Sequence, residues 1–298
     1  MKLLLLYFKA FVIFLTVLTA TQSQASTPLE ITINRDGVLL KGKYYMSEGI
    51  GNFPTVVLLH GFPGNEIDVL GIGKKLSEVG INALTFNYSG THQSEGEFNF
   101  DNTQKDIGAV FEFIHQSENI HKYKIDTTRI ILGGYSYGGG MAMTYAANHI
   151  EIREVFSIAG NDHGAFMKEY KRNPEMQKEI NKMFEELKAQ PGTVRFGPGG
   201  TAKGIAEMKI IELNPTFDLR NCAPLLVQKS ILLVAGWDDN NASVENIVLP
   251  LYRALNKEKA QNVRIIAFQD DHSFRNSREE LAQTIIEWIK AAPESKKS

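Results

Sequence analysis

Ser136 stands in Gly133-Gly134-Tyr135-Ser136-Tyr137-Gly138-Gly139, directly after the apolar run Ile130-Ile131-Leu132. A G-x-S-x-G pattern is thus placed where a strand should turn sharply into a helix. A serine on such a turn projects its hydroxyl away from the backbone, while the flanking glycines let strand and helix come close. That is where a nucleophile belongs. The same glycines could serve packing alone, so the pattern needs partners elsewhere. A serine hydroxyl becomes a useful nucleophile only beside a base that takes its proton.

A base and its orienting acid can both be found. His272 lies in Phe268-Gln269-Asp270-Asp271-His272-Ser273-Phe274, just past the strand-like residues 263–267. Between serine and histidine, the apolar run 231–236 ends in Trp237-Asp238-Asp239, two adjacent carboxylates of which only one could hold an imidazole. A further segment, His60-Gly61-Phe62-Pro63-Gly64, follows the β-branched run 55–59. The order along the chain is Ser, Asp, His, with each member just past a strand.

That order resembles the α/β-hydrolase family, whose triad partners follow in this sequence. The resemblance covers nearly all of the chain beyond its N-terminal segment. It implies Ser136 as nucleophile, His272 as general base and then acid, and Asp238 or Asp239 as the orienting acid. By the family pattern the backbone amides of Phe62 and Tyr137 would form the oxyanion hole, with His60 bracing that loop. Many relatives place the acid as G-x-x-D, which from Gly236 points to Asp239, with Asp238 as runner-up. Where the family often carries an arginine, in the loop 87–96, this chain has Ser89, for which a structural role is expected. The activity implied is cleavage of a small carboxylic ester, with no cofactor. The elbow and Asp271-His272 also resemble the catalytic domains of prolyl-oligopeptidase relatives, so a peptidase or amidase is the alternative. A non-catalytic binding protein on the same fold is a third reading.

The elements that must hold these residues are legible as an alternation. Residues 29–34 and 38–45 read as a hairpin around Arg35-Asp36-Gly37. Strands are predicted at 56–59, 81–86 and 155–159, and helices at 67–79, 101–115, 141–147, 244–255 and 281–289. On the second helix Ile107, Val110, Phe111 and Ile114 share one face. Such alternation predicts an α/β protein with a mostly parallel central sheet, helices on both faces, and active residues at the carboxyl ends of the strands. Residues of about 161–221 interrupt it with a connection far longer than usual, which predicts an inserted helical cap or lid. Met176, Ile180, Met183, Phe184 and Leu187 recur there at helical spacing, and Met183 and Phe184 are candidates for holding an apolar part of a substrate. The glycine-rich residues 196–204 follow no strand and lack the Gly-Lys-Ser/Thr ending of a phosphate loop, so they read as a loop. His115, His121 and Asp162-His163 do not make a metal set, and no metal is expected.

Composition narrows the partners. At 298 residues, 43% apolar and 22% charged, the chain can bury one large core or a core with an inserted subdomain. Lys and Arg number 32 against 34 Asp and Glu with no long basic run, so nucleic acid is not an expected partner. A small-molecule ester or a short peptide remains. Residues 1–25 read as a signal peptide: Lys2 and Lys9 supply positive charge, residues 10–20 are almost wholly apolar, and Ser23-Gln24-Ala25 offers small residues for cleavage after Ala25. The hydrolase domain would then be 26–298, secreted or periplasmic, with no membrane contact and a net charge of −4. The alternative is an uncleaved anchor, which Lys9 would make costly. The only cysteine is Cys222, so there is no disulfide and no lipid-attachment cysteine after the cleavage point.

Overall fold

The computed structural model describes residues 27–67, 69–197 and 214–291. The expected signal segment 1–25 and most of the glycine-rich stretch 196–204 lie outside them. An eight-stranded sheet runs in the order β1-β2-β4-β3-β5-β6-β7-β8. The strands are β1 Leu29–Arg35, β2 Val38–Tyr45, β3 Phe53–Leu59, β4 Asn82–Phe86, β5 Ile125–Tyr135, β6 Glu154–Ile158, β7 Ser230–Gly236 and β8 Val263–Phe268. The pairs β1/β2 and β2/β4 are antiparallel and the others are parallel. The opening hairpin turns through Asp36 and Gly37, both at positive φ (51° and 88°), and Asn34 Oδ1 accepts from Gly37 N at 2.8 Å. Such a tight turn matches the twist of the strands it joins.

The parallel strands read as unbroken apolar runs because both of their faces are covered. Alternate residues enter two separate cores. Val57, Leu59, Leu132, Ile231 and Leu233 pack with Ile107, Val110, Met141, Cys222 and Leu251. Those side chains come from the helices α2 Phe100–His115, α4 Tyr137–Asn148, α7 Leu219–Leu226 and α8 Leu249–Lys257. Val56, Leu58, Ile131, Leu232 and Val234 join the other core, with Ile72, Leu76, Leu281, Ile285 and Ile289 from α1 Ile72–Ser77 and α9 Arg278–Ala291. A period of two on each strand thus feeds both layers.

Some expectations need correcting. The helix expected over 67–79 is only α1, because Leu70 and Gly71 take left-handed backbone (φ 59° and 73°) and start it late. The helix expected over 244–255 begins as a π-helical turn, Val244–Val248, and continues as α8, whose Pro250 lacks the amide that regular winding would use. A short helix α3, Ser117–Lys122, follows α2. The long excursion contains α5 His163–Arg172 and α6 Pro174–Ala189. Asn173 joins them by accepting from Glu175 N and Met176 N at 3.1 Å each, ahead of a proline suited to a first helical turn. The end of the excursion belongs to the body, since α7 packs on α4 and α8. Among the described residues no helix is long and apolar enough to cross a membrane.

Candidate active site

Ser136 occupies the turn between β5 and α4 with φ 54° and ψ −119°. A non-glycine residue in this region is strained by about 1–3 kcal/mol, so the surroundings must impose the conformation. They do so through the backbone: Ser136 N donates to Ile158 O at 2.8 Å, and Ser136 O accepts from Asn161 N at 3.1 Å and Gly140 N at 3.2 Å. Close approach completes the turn. A Cβ on Gly138 would lie 2.6 Å from the carbonyl oxygens of Leu59 and His60, and one on Gly134 would collide with the backbone of Gly138. These glycines let β3, β5 and α4 converge under the serine.

Three side chains from three strand ends meet there. His272, past β8, places Nε2 at 2.9 Å from Ser136 Oγ. Its Nδ1 lies 2.7 Å from Asp239 Oδ2, past β7. The other oxygen, Asp239 Oδ1, accepts from Asn241 N at 2.7 Å and Ala242 N at 2.9 Å. Burial works against ionising this carboxyl, but the bond to His272 and the two amides outweigh it and hold its pKa below the usual range. The carboxylate side chain is fully buried while that of His272 is 20% exposed, so the ring keeps an open side. Asp238 points elsewhere and accepts from Gln269 Nε2 at 2.9 Å.

The loop carrying His272 is organised by a residue that the sequence alone did not single out. Asp270 Oδ2 accepts from Asn276 N, Ser277 N and Ser277 Oγ at 2.8–2.9 Å, and Oδ1 accepts from Asp271 N at 2.9 Å. Tyr135 Oη donates to the carbonyl of His272 at 3.0 Å. Asp271 is occupied locally with Ser273. Its neighbour Asp270 can be recognised only from contacts six and seven residues on.

The two backbone amides named for an oxyanion hole flank this group. Tyr137 is the first residue of α4, so its amide has no acceptor within the helix. Phe62 N donates to no group among the described residues. The loop bearing Phe62 folds on itself, with Gly64 N to Gly61 O at 2.7 Å. Beneath it His60 is fully buried, contacts Gly61 O through Nδ1 at 2.7 Å and packs at a tilt against Tyr88, with ring centroids 4.2 Å apart. Burial pushes its pKa down to about 4, which suits a neutral brace.

Ser89 stands in a buried ion-pair cluster. Asp106 accepts from Ser89 N at 2.7 Å and Ser89 Oγ at 2.6 Å, and pairs with Arg35 Nε at 2.7 Å. A guanidinium is present after all, delivered from the end of β1. The signal available in the sequence was an acid on the apolar face of α2.

The cap candidates separate. Phe184 is buried and faces Phe62 and Phe196 at ring distances of 6.1 and 5.3 Å. Leu187 is buried, and Met176 and Ile180 are half-buried. Met183 lies at the edge of that face and is 39% exposed. The helical rotation between adjacent residues turns it outward.

Comparison with known proteins agrees with this architecture. A sequence model described as alpha/beta hydrolase fold matches residues 54–197. A proline iminopeptidase of Saccharolobus solfataricus is 29% identical over 151 residues, 51% of this chain and only 44% of that protein. Among solved structures, mouse alpha/beta hydrolase domain-containing protein 10 superposes with TM-score 0.64 at 20% identity, covering 89% of this chain and 100% of that one. The esterase Pf2001 of Pyrococcus furiosus superposes with TM-score 0.62 at 18% identity, covering 89% and 92%. By its sheet, its elbow and these matches, the chain has the α/β-hydrolase fold.

Proposed function

We propose that the protein is an exported serine hydrolase that cleaves a small carboxylic ester through an acyl-enzyme on Ser136. The observation that carries this reading is the hydrogen-bonded line Ser136–His272–Asp239 at 2.9 and 2.7 Å, starting from a strained serine. In this mechanism His272 Nε2 takes the hydroxyl proton as Ser136 Oγ attacks the acyl carbon. Asp239 keeps the other ring nitrogen protonated and stabilises the imidazolium. The amides of Phe62 and Tyr137 donate to the oxyanion, and His272 returns the proton to the leaving alcohol. Water then enters, His272 removes its proton, and the acid leaves with Ser136 restored.

Export rests on the apolar N-terminal segment with its small-residue cleavage pattern. A second reading, a peptidase releasing an N-terminal residue, is favoured by the match to a proline iminopeptidase. The test is turnover of p-nitrophenyl esters beside aminoacyl and prolyl nitroanilides, with fluorophosphonate labelling of Ser136. Ester turnover with labelling is expected. Preference for prolyl nitroanilide would move the assignment to the second reading, and neither turnover nor label would leave a binding protein.

A further inference from the structure

His92 lies outside the Ser–His–Asp line and holds an expensive conformation. Its φ is 44°, in the left-handed region that favours glycine. A histidine kept there is compensated by contacts on all sides. Its Nε2 reaches Gly64 O at 2.8 Å and Pro63 O at 3.2 Å, two carbonyls that accept only from a protonated ring nitrogen. Its backbone is held by the segment that leaves the cap: His92 N donates to Thr193 O at 3.1 Å, and Arg195 Nη1 donates to His92 O at 3.0 Å. Arg195 also bonds Ser94 O through Nη2 and Gly90 O through its own amide. An isolated bridge between Thr91 and Val194 runs alongside.

Pro63 and Gly64 close the turn that presents the amide of Phe62. A donor aimed at a developing oxyanion must be fixed before reaction, and a displacement of about 1 Å can cost on the order of 100-fold in rate. We propose that His92 is a positioning residue which ties the oxyanion loop to the exit of the cap, so that the aim of Phe62 N depends on the cap being seated. This rests on the serine-hydrolase reading above. It adds that the cap acts on the reaction through one side chain, beyond any contact of its own with substrate.

The test uses the full protein with three variants. His92→Gly suits the left-handed backbone, keeps the main-chain bonds to Thr193 and Arg195, and removes only the ring. It should lower kcat for p-nitrophenyl acetate by about ten- to 100-fold, with KM held within about twofold and a parallel fall in fluorophosphonate labelling rate. His92→Gln restores an N–H at similar reach and should recover most of kcat. Arg195→Ala should move kcat in the same direction by less. A His92→Gly enzyme with full kcat would overturn the proposal, as would a Gln variant as slow as the Gly variant. If the wild type neither hydrolyses nor labels, the serine-hydrolase reading fails separately. The tie itself is then read by hydrogen exchange, which should speed up at residues 61–66 in His92→Gly and would refute the tie if unchanged.

Discussion

The elbow at Ser136 and the cap helix α6 are held in opposite ways. Every residue of α4 from Tyr137 to Ala147 is buried, and the turn before it is shaped by glycines that leave no room for a Cβ. Of the residues in α6 only Phe184 and Leu187 are buried, while its outer face is charged, with Lys182 paired to Glu186 at 3.7 Å. An exposed pair of that kind adds at most about 1 kcal/mol. Backbone packing fixes the first region, so its geometry cannot drift. Two side chains fix the second, so a few substitutions can reshape it. Under the proposed function, chemistry resides in the rigid part and selection in the adaptable one.

The strongest way to break this division is Ser136→Ala. It should lower turnover by about 10⁴- to 10⁶-fold and abolish fluorophosphonate labelling, with the melting temperature kept, since alanine retains the Cβ and the same strained backbone. Retained activity would remove Ser136 from the reaction. Within the rigid region the contrast between neighbours is nearly as large. Asp239→Asn should cost roughly 10⁴ in kcat by favouring the wrong imidazole tautomer. Asp238→Asn should change kcat by less than about tenfold, because among the described residues that carboxylate bonds Gln269 and stands apart from His272. Kinetics of the two variants side by side decide the matter, and equal losses would dissolve the assignment.

How far these regions can be read from sequence follows from the same contrast. Strands buried on both faces spell themselves as apolar runs, and an elbow without room spells itself in glycines, so the sheet and the Ser136 turn are legible. The spacing from Gly236 points to Asp239, the carboxylate that the fold brings to His272. Features made by distant contact are not legible. Arg35 at the end of β1 meets Asp106 on α2, Asp270 gathers amides beyond His272, and His92 joins residues 63–64 to 193–195. Leu70 breaks the helix expected before it by adopting a backbone that leucine rarely takes. The cap misleads for a further reason: adjacent apolar residues look alike in sequence, yet only Phe184 of the pair with Met183 turns inward.

Acid should separate the two regions as well. His60 and His163 both pack at the elbow, and burial pushes each pKa down to about 4. An unfolded histidine titrates near 6.5. Between these values the unfolded chain takes up protons that the fold refuses, so stability present above about pH 6.5 is lost as pH falls towards 4. Each histidine can contribute a loss of about 3 kcal/mol. Asp239, held low, adds a loss only in stronger acid. Melting temperatures from pH 7.5 to 4.5 should therefore fall, and His163→Gln should flatten part of the slope. A flat profile in the wild type would mean that these rings are not kept neutral by burial. The helix α6 contains no histidine, so its amide protection, taken relative to the intrinsic exchange rate at each pH, should change less over the same range.

The smallest expected effect tests the adaptable side. If α6 selects substrates, the work is done by Phe184, which reaches the ring of Phe62, and not by Met183, which is turned to solvent. Each methylene that a substrate buries there gains about 0.8 kcal/mol, or about fourfold in affinity. Phe184→Ser should then raise KM for octanoate esters by about tenfold or more while leaving acetate esters within about twofold. Met183→Ser should alter neither by more than about twofold, since an exposed side chain has little apolar burial to lose. Labelling of Ser136 should persist in both variants. A larger effect from Met183 would mean that the helix rotates when substrate binds. Equal losses on both ester classes, with earlier melting, would make Phe184 a packing residue and leave selection to the strand-end loops.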